Sequence, residues 1–522
     1  MSDRRRFLLS TGALAAGAAA FAAWPSRDGG APAGPRAQGG TESTAPLSPQ
    51  ADGRRPVAST SRAPQAAPQA APAPAQGGPP AKRPNFVLIL ADDLGYGQLG
   101  CYGQKKIKTP RIDRMAREGL RFTDAYAPAP VCAPSRASLL TGLHSGHSAV
   151  RRNPPKEGEI PIGANEPTIA EMLQAGGYRT GLFGKWGFGP NAGNNNTNPN
   201  ARGFTDFFGY MTHHMAKRYY PEFLWENGQH HPLPGNKGDS GPIYGPGLIM
   251  QRALAFLRDA DRQGQPFLLM LTLPLPHAPS VVSGLGQYRG KDWTRQNKAH
   301  AAQITQLDGY VGMLMDELRK LGLADETIVV FTSDNGPHEE DHVSPRFFEA
   351  AGPYRGLKRN LYEGGIRVPF IVWSPKLLRK TAKKRTSHPT VQYDLMATFA
   401  DFAGLKAPKN DGISLRKLWA GTGRPAKHQY LYWLRLHNGS TKSHRAEERG
   451  KGRRCAAAVR FDEWKLIGFA PGTEYSTPGK KWTYELYNLN KDPGERNNLA
   501  KSRPALVRRG ERYLKRSWRP LD

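Results

Sequence analysis

The sequence predicts an α/β fold built on a mainly parallel sheet. Two observations carry this. Continuous apolar runs, right for strands buried on both faces, recur between residues 85 and 373 with helical patterns between them. The polar residues suited to chemistry cluster just after the C-terminal ends of those runs, where open α/β sheets bind ligands.

The first strand is Asn85-Phe86-Val87-Leu88-Ile89-Leu90-Ala91. Further strands are expected at Thr180–Phe183, Phe267–Thr272, Thr327–Thr332 and Val368–Trp373, with helices over Thr168–Ala175, Gly247–Asp261 and Ala299–Leu321. A boundary falls near Gly421-Thr422-Gly423-Arg424-Pro425. Beyond it, Gln429–Leu436, Ala456–Phe461, Trp464–Ile467 and Tyr484–Leu489 read as short antiparallel strands, and Ala505–Trp518 as a closing helix. Thr441–Arg454 is polar, basic and punctuated by glycine, so a mobile loop is expected there.

The N-terminus reads as an export signal over residues 1–23. Arg4-Arg5-Arg6-Phe7-Leu8-Leu9 resembles a twin-arginine pattern, and an Ala/Gly-rich stretch leads to a small-residue cleavage site near Ala20-Phe21-Ala22-Ala23. This places the mature chain in the periplasm or outside the cell, with no stable membrane span after cleavage. Residues 24–83 are Ala, Pro, Gln, Gly and Ser with almost no large apolar side chain, so they cannot offset their ordering entropy and read as a disordered linker.

The chain has 522 residues and a formal net charge of +30, which favours anionic partners without choosing among nucleic acid, membrane and sulfated glycan. No nucleic-acid-binding motif appears, and none is expected as a partner. Three cysteines, Cys101, Cys132 and Cys455, exclude a disulfide framework; a Cys101–Cys455 pair has nothing local to support it.

Asp92-Asp93 follow the first strand, and Asp334-Asn335 follow the Thr327–Thr332 strand. Adjacent carboxylates repel, and two sets of hard oxygen ligands at strand ends point to calcium, or less readily magnesium. The segment Cys132-Ala133-Pro134-Ser135-Arg136, followed by Leu140-Thr141-Gly142, resembles the signature of type I sulfatases. So do Asp92–Gly97, Gly184-Lys185-Trp186, Pro276-His277-Ala278-Pro279, Ser333–Gly336 and Gly356–Pro369, in the family's order. The closing stretch from Glu485 to Leu499 matches as well, so the resemblance spans about residues 84 to 500.

The resemblance implies an alkaline-phosphatase-like α/β/α sandwich over residues 84–422 and a C-terminal subdomain, 423–522, with a small antiparallel sheet and a helix. It implies that a formylglycine-generating enzyme oxidises Cys132, that Asp92, Asp93, Asp334 and Asn335 hold calcium with residue 132 completing the site, and that Arg136 holds the aldehyde hydrate. Lys185, His277 and Lys358 would surround the sulfate, with His277 and Lys358 as candidate acids. The implied activity is hydrolysis of sulfate monoesters, with a sulfated sugar or polysaccharide as substrate. A phosphonate or phosphate ester hydrolase of the same superfamily, and an inactive glycan-binding protein whose Cys132 stays a thiol, are the alternatives.

One departure stands out. The family commonly reads Gly-Lys-Trp-His where this chain has Gly184-Lys185-Trp186-Gly187. His213 or His214 is expected to replace the missing imidazole. Glu363 is expected to pair with Arg367. The aromatic run Tyr219–Trp225 is expected either to line a sugar pocket or to pack in the core.

Overall fold

The computed structural model describes residues 83–155, 158–189, 197–436 and 441–521. The expected export signal, and all of the expected linker but Arg83, lie outside the described residues. Twelve strands lie in the part before residue 423: β1 Asn85–Ala91, β2 Leu120–Phe122, β3 Ala125–Tyr126, β4 Arg179–Lys185, β5 Asp206–Tyr210, β6 Phe223–Glu226, β7 Gln229–Pro232, β8 Phe267–Thr272, β9 Thr327–Ser333, β10 Phe370–Trp373, β11 Lys384–Thr386 and β12 Thr390–Val391. Ten of them form one sheet in the order β11-β2-β10-β9-β1-β8-β4-β5-β6-β7.

The central five strands, β9-β1-β8-β4-β5, are parallel. They are therefore the ones that read as unbroken apolar runs: every residue of β1, β8 and β9 is buried. The edges depart from that reading. β10 runs antiparallel to β9, and β6 and β7 form an antiparallel hairpin beyond β5.

Helices cover both faces: α1 Pro110–Glu118, α2 Cys132–Thr141, α3 Ile169–Ala175, α4 Gly245–Gln263, α5 Arg295–Lys320, α6 Glu363–Ile366, α7 Asp394–Ala403 and α8 Arg416–Ala420. The alternation along β1 divides the core. Val87 and Ile89 pack in the layer that holds residues of α1, α4 and α5. Phe86, Leu88 and Leu90 pack in the layer of α2, α3, α7 and α8, where Phe86 stacks on Phe399 with ring centroids 4.3 Å apart. Each such buried side chain contributes about 1.5–3 kcal/mol, which is what locks the register of β1. The result is the expected α/β/α sandwich.

The last part of the chain forms α9 Lys442–Glu447, α10 Pro504–Arg516 and a four-stranded antiparallel sheet: β13 Leu431–Arg435, β14 Ala456–Phe461, β15 Trp464–Phe469 and β16 Thr483–Asn488, in that order. One face packs Trp433, Ala458 and Ile467 against Tyr126, Tyr362 and Ile366; the other receives Tyr513 and Leu514 of α10.

The expectation of a mobile loop over Thr441–Arg454 is corrected here. Thr441 accepts from the His444 N–H and caps α9; Glu448 is buried and pairs with Arg435 while accepting from Asn360. Tertiary partners, rather than local periodicity, order this segment. All three cysteines are free. Among the described residues no helix is long and apolar enough to cross a membrane.

Candidate active site

Four adjacent parallel strands aim their C-terminal ends at one point. β1 delivers Asp92 and Asp93, β9 delivers Asp334 and Asn335, β4 ends on Lys185, and the turn after β8 carries His277. Asp93 adopts φ +68°, a left-handed conformation that only a few short polar residues tolerate. Its N–H is held by Asp334 Oδ1 at 3.0 Å and the next N–H by Ser333 Oγ at 2.9 Å, so neighbouring strands enforce the turn.

Cys132 opens α2. Among the described groups its Sγ, a carboxylate oxygen of each of Asp92 and Asp93, and a ring nitrogen of His277 lie within 4.8 Å of one another. The Ala133 N–H donates to Asn153 Oδ1 at 3.0 Å, fixing the first turn of the helix. One turn on, Arg136 bridges two carboxylates: Nε to Asp334 at 2.8 Å and Nη2 to Asp92 at 3.3 Å. Lys185 Nζ lies 2.8 Å from Asp92, and Lys358 Nζ 2.7 Å from Asp93 and 3.3 Å from His277 Nε2. The structure thus brings together every predicted site residue.

The electrostatics follow from burial and crowding. Burial is the largest influence on Asp92 and pushes it up, but Lys185, Arg136, His277 and Lys358 outweigh it and hold it well below the carboxylate range. Burial, then Asp92, push Asp334 up to about 7. Burial, reinforced by Lys358, pushes His277 down to about 4, leaving its imidazole neutral. Burial pushes the Cys132 thiol up to about 11, so an unmodified thiol here is a poor nucleophile.

The donor set fits a hard divalent cation. Asp92 Oδ1 and Asn335 Oδ1 are buried oxygens without a hydrogen-bond partner, a costly condition unless something binds them. Asn335 Nδ2 donates to Asp93 Oδ1 at 2.7 Å, which fixes the amide so that its oxygen is the free end. All the side chains offered are oxygen ligands apart from residue 132.

Several participants carry no motif in the sequence. Tyr219 is buried with its hydroxyl 2.5 Å from the carbonyls of Pro274 and His277, so it holds the β8 turn and does not line a sugar pocket. Trp225 packs in the core. Glu340 lies 3.7 Å from Lys358 Nζ, 4.0 Å from His277 Nε2, and pairs with Arg359. Glu363 pairs with Arg367 as expected, at 3.0 Å, and also with Lys465 of β15 at 2.9 Å. A cleft of about 880 Å³, lined by Glu339 and Leu357 among others, opens between the 339–357 segment, α9 and residues 494–496, with Arg346, Arg449 and Arg496 on its walls together with Glu349, Glu447 and Glu495.

His213 occupies the space over Gly187. A Cβ built at 187 would lie 2.6 Å from its Cε1. His214 is exposed.

Comparison with known proteins agrees with this geometry. A family model described as Sulfatase matches residues 84–405, and one described as N-sulphoglucosamine sulphohydrolase, C-terminal, matches 356–508. Human arylsulfatase A is 34% identical over 80% of this chain and 84% of its own length. N-acetylgalactosamine-6-O-sulfatase of Bacteroides thetaiotaomicron is 30% identical over 82% of this chain and 92% of its own. The crystal structure of Ps i-CgsB in complex with k-i-k-neocarrahexaose aligns with a TM-score of 0.69 at 28% identity, covering 84% of this chain and 93% of that one. The converging strand ends, the matched family model and these relatives together show that the chain belongs to the sulfatase family, with an alkaline-phosphatase-like fold, and is a sulfuric ester hydrolase.

Proposed function

We propose that this protein is an exported sulfatase that removes sulfate from a sulfated sugar or glycan, using calcium and a formylglycine made from Cys132 by a formylglycine-generating enzyme. The observation that carries this is the convergence of Cys132 with two orphaned ligand oxygens, on Asp92 and Asn335, inside a ring of Lys185, Lys358, Arg136 and His277. Asp92, Asp93, Asp334 and Asn335 would hold the ion, which supplies Lewis-acid charge against the sulfate oxygens. Formylglycine at 132 supplies a hydrate with one hydroxyl to attack and one to release, and Arg136, within the same cluster, is placed to orient it.

The chain's own cations do the remaining electrostatic work. A sulfate monoester is an anion, and Lys185 and Lys358 present ammonium groups fixed by buried carboxylates, so little reorganisation is needed when charge builds on sulfate. Lys358 Nζ and His277 Nε2 share one hydrogen-bonding contact, which lets the pair hand a proton to the departing oxygen of the sugar. Sugar substrates are supported by the names of the relatives and by the net charge of +30. The test is chelation and reconstitution: removing divalent ions should abolish aryl sulfate turnover and calcium should restore it. Restoration by zinc alone, or turnover of aryl phosphate in preference to aryl sulfate, refutes the assignment.

A further inference from the structure

The β4–β5 side of the site holds a buried pair that this reading leaves unused. Lys185 and Tyr210 are register partners at the ends of β4 and β5. The two strands stay paired one step further: Trp186 N–H donates to Tyr210 O at 2.9 Å and Gly187 N–H to Met211 O at 3.0 Å. That pairing brings His213 over Gly187, whose φ of +88° and missing side chain leave room for the imidazole. Glu159 clamps His213 twice, accepting from its backbone N–H at 2.7 Å and from Nδ1 at 2.9 Å. The Glu159 side chain is 4% exposed and that of His213 11%. With Nδ1 committed to a carboxylate, Nε2 keeps its lone pair. That nitrogen is buried and has no partner. Burial, then the charges of Lys185 and Arg136, hold the ring well below the usual imidazole range, so it is neutral.

An unpaired buried polar atom costs about 1–3 kcal/mol, and although His300 and His444 also leave one ring nitrogen unpaired, His213 is the one that sits over Gly187, two residues beyond Lys185. Here one nitrogen is held with care and the other left open. We propose that His213, oriented by Glu159, is the proton acceptor that releases sulfate from residue 132, and that Gly187 is small so that this imidazole, arriving from the next strand, can reach the site. In that step the O–H bond of the remaining hydroxyl on residue 132 breaks and its proton goes to Nε2. The freed electron pair closes the carbonyl, the carbon–oxygen bond to sulfate opens, and sulfate leaves with that pair. Solvent then takes the proton from His213.

This rests on the formylglycine reading, and the experiment separates the two. Intact mass first establishes formylglycine at 132 and aryl sulfate turnover in the wild-type enzyme; failure there removes the underlying reading. Given both, His213→Ala should lower kcat by roughly 100-fold or more, the usual worth of a positioned acid–base group. KM should fall in parallel, leaving kcat/KM nearly unchanged, since the transfer step before it is intact. Aryl alcohol should appear in a burst of one equivalent. Mass spectrometry of the peptide carrying residue 132 should show an accumulated SO₃ adduct that the wild type does not build up. Added imidazole should restore turnover through the space left over Gly187. His213→Gln gives the same kcat, burst and adduct readings, without the imidazole rescue, should the alanine variant not fold. An unchanged kcat, or a lowered kcat without adduct, burst or imidazole rescue, overturns the proposal while leaving the sulfatase assignment in place.

Discussion

Replacing Lys465 by methionine tests how the C-terminal sheet is coupled to the rest of the chain. The Lys465 ammonium is fully buried between two equally buried carboxylates, Glu363 Oε1 at 2.9 Å and Glu495 Oε1 at 3.0 Å. Glu363 has Arg367 as a second cation; Glu495 has no second ion-pair partner among the described residues. Burial already pushes Glu495 up to about 7 against the pull of Lys465, whereas Lys465 and Arg367 hold Glu363 at about 2 despite its burial. Breaking a buried pair by removing one partner costs about 3–5 kcal/mol. Glu495 has an escape, which is to take up a proton. Glu495 is already about half protonated at pH 7 in the wild type, so completing that step adds only about 0.4 kcal/mol, and the loss falls on Glu363: returning its carboxyl from about 2 to an unfolded value near 4.3 forfeits about 3 kcal/mol, at roughly 1.36 kcal/mol per pH unit.

The sign follows from linkage. Glu363 lies below its unfolded value, so the stabilisation it draws from Lys465 is complete above about pH 4.3 and fades as pH falls toward 2; Lys465→Met removes it. The expected destabilisation is therefore about 3 kcal/mol at pH 7 and about 1.4 kcal/mol at pH 3. Guanidinium unfolding followed by fluorescence, at both pH values, measures it. A loss below about 1 kcal/mol at pH 7, or equal losses at both pH values, would refute the reasoning.

Cys132→Ala should abolish sulfate release with unfolding midpoints close to wild type, and Cys132→Ser should at most trap a sulfate ester visible by mass; turnover by the alanine variant contradicts the proposed nucleophile. The Arg435–Glu448 pair gives an acid-sensitive contribution: burial alone would raise Glu448, but Arg435 draws it down to about 2. Its stabilisation is complete above the unfolded value near 4.5 and fades as pH falls toward 2, so Glu448→Gln should cost about 3 kcal/mol at pH 7 and progressively less below pH 4.5, as read from denaturation curves. Reversing Arg346, Arg449 and Arg496 on the cleft should lower kcat/KM for a sulfated oligosaccharide and flatten its salt dependence while sparing a small aryl sulfate, since exposed charges are screened over about 8–10 Å. Parallel salt dependence of the two substrates would remove the cleft from substrate capture.

Legibility from sequence tracked how local each signal was. β1, β8 and β9 announce themselves because both faces are buried, and Asp92-Asp93 and Asp334-Asn335 are visible because carboxylates directly after such runs need a reason. The antiparallel direction of β10 was hidden, since strand sense depends on the connection and not on the four residues Phe370–Trp373. α9 was hidden for a related reason: its six residues are held by Arg435 and Asn360, which lie on other elements. Glu340 and Glu159 sit in charged stretches that look like solvated surface until the fold brings them to His277 and His213. At Gly187 the signal was an absence, and only the fold shows that the space is filled from β5.

The burial of Cys132 has a consequence in time. Its side chain is 2% exposed, closed over by α2, by the strand end that carries Asp92 and by the distant segment that carries Lys358. On the function proposed above, the enzyme that rewrites this side chain must reach the segment around it. That segment is accessible only before β1 has found β8 and β9. The opportunity is therefore a race between modification and collapse, and it opens once per molecule. A chain that folds first keeps an inert thiol behind a finished wall, and no later encounter with the modifying enzyme can convert it without unfolding the centre of the sheet. On that proposal, activity per molecule would depend on the folding rate of the nascent chain as well as on the chemistry of the mature site.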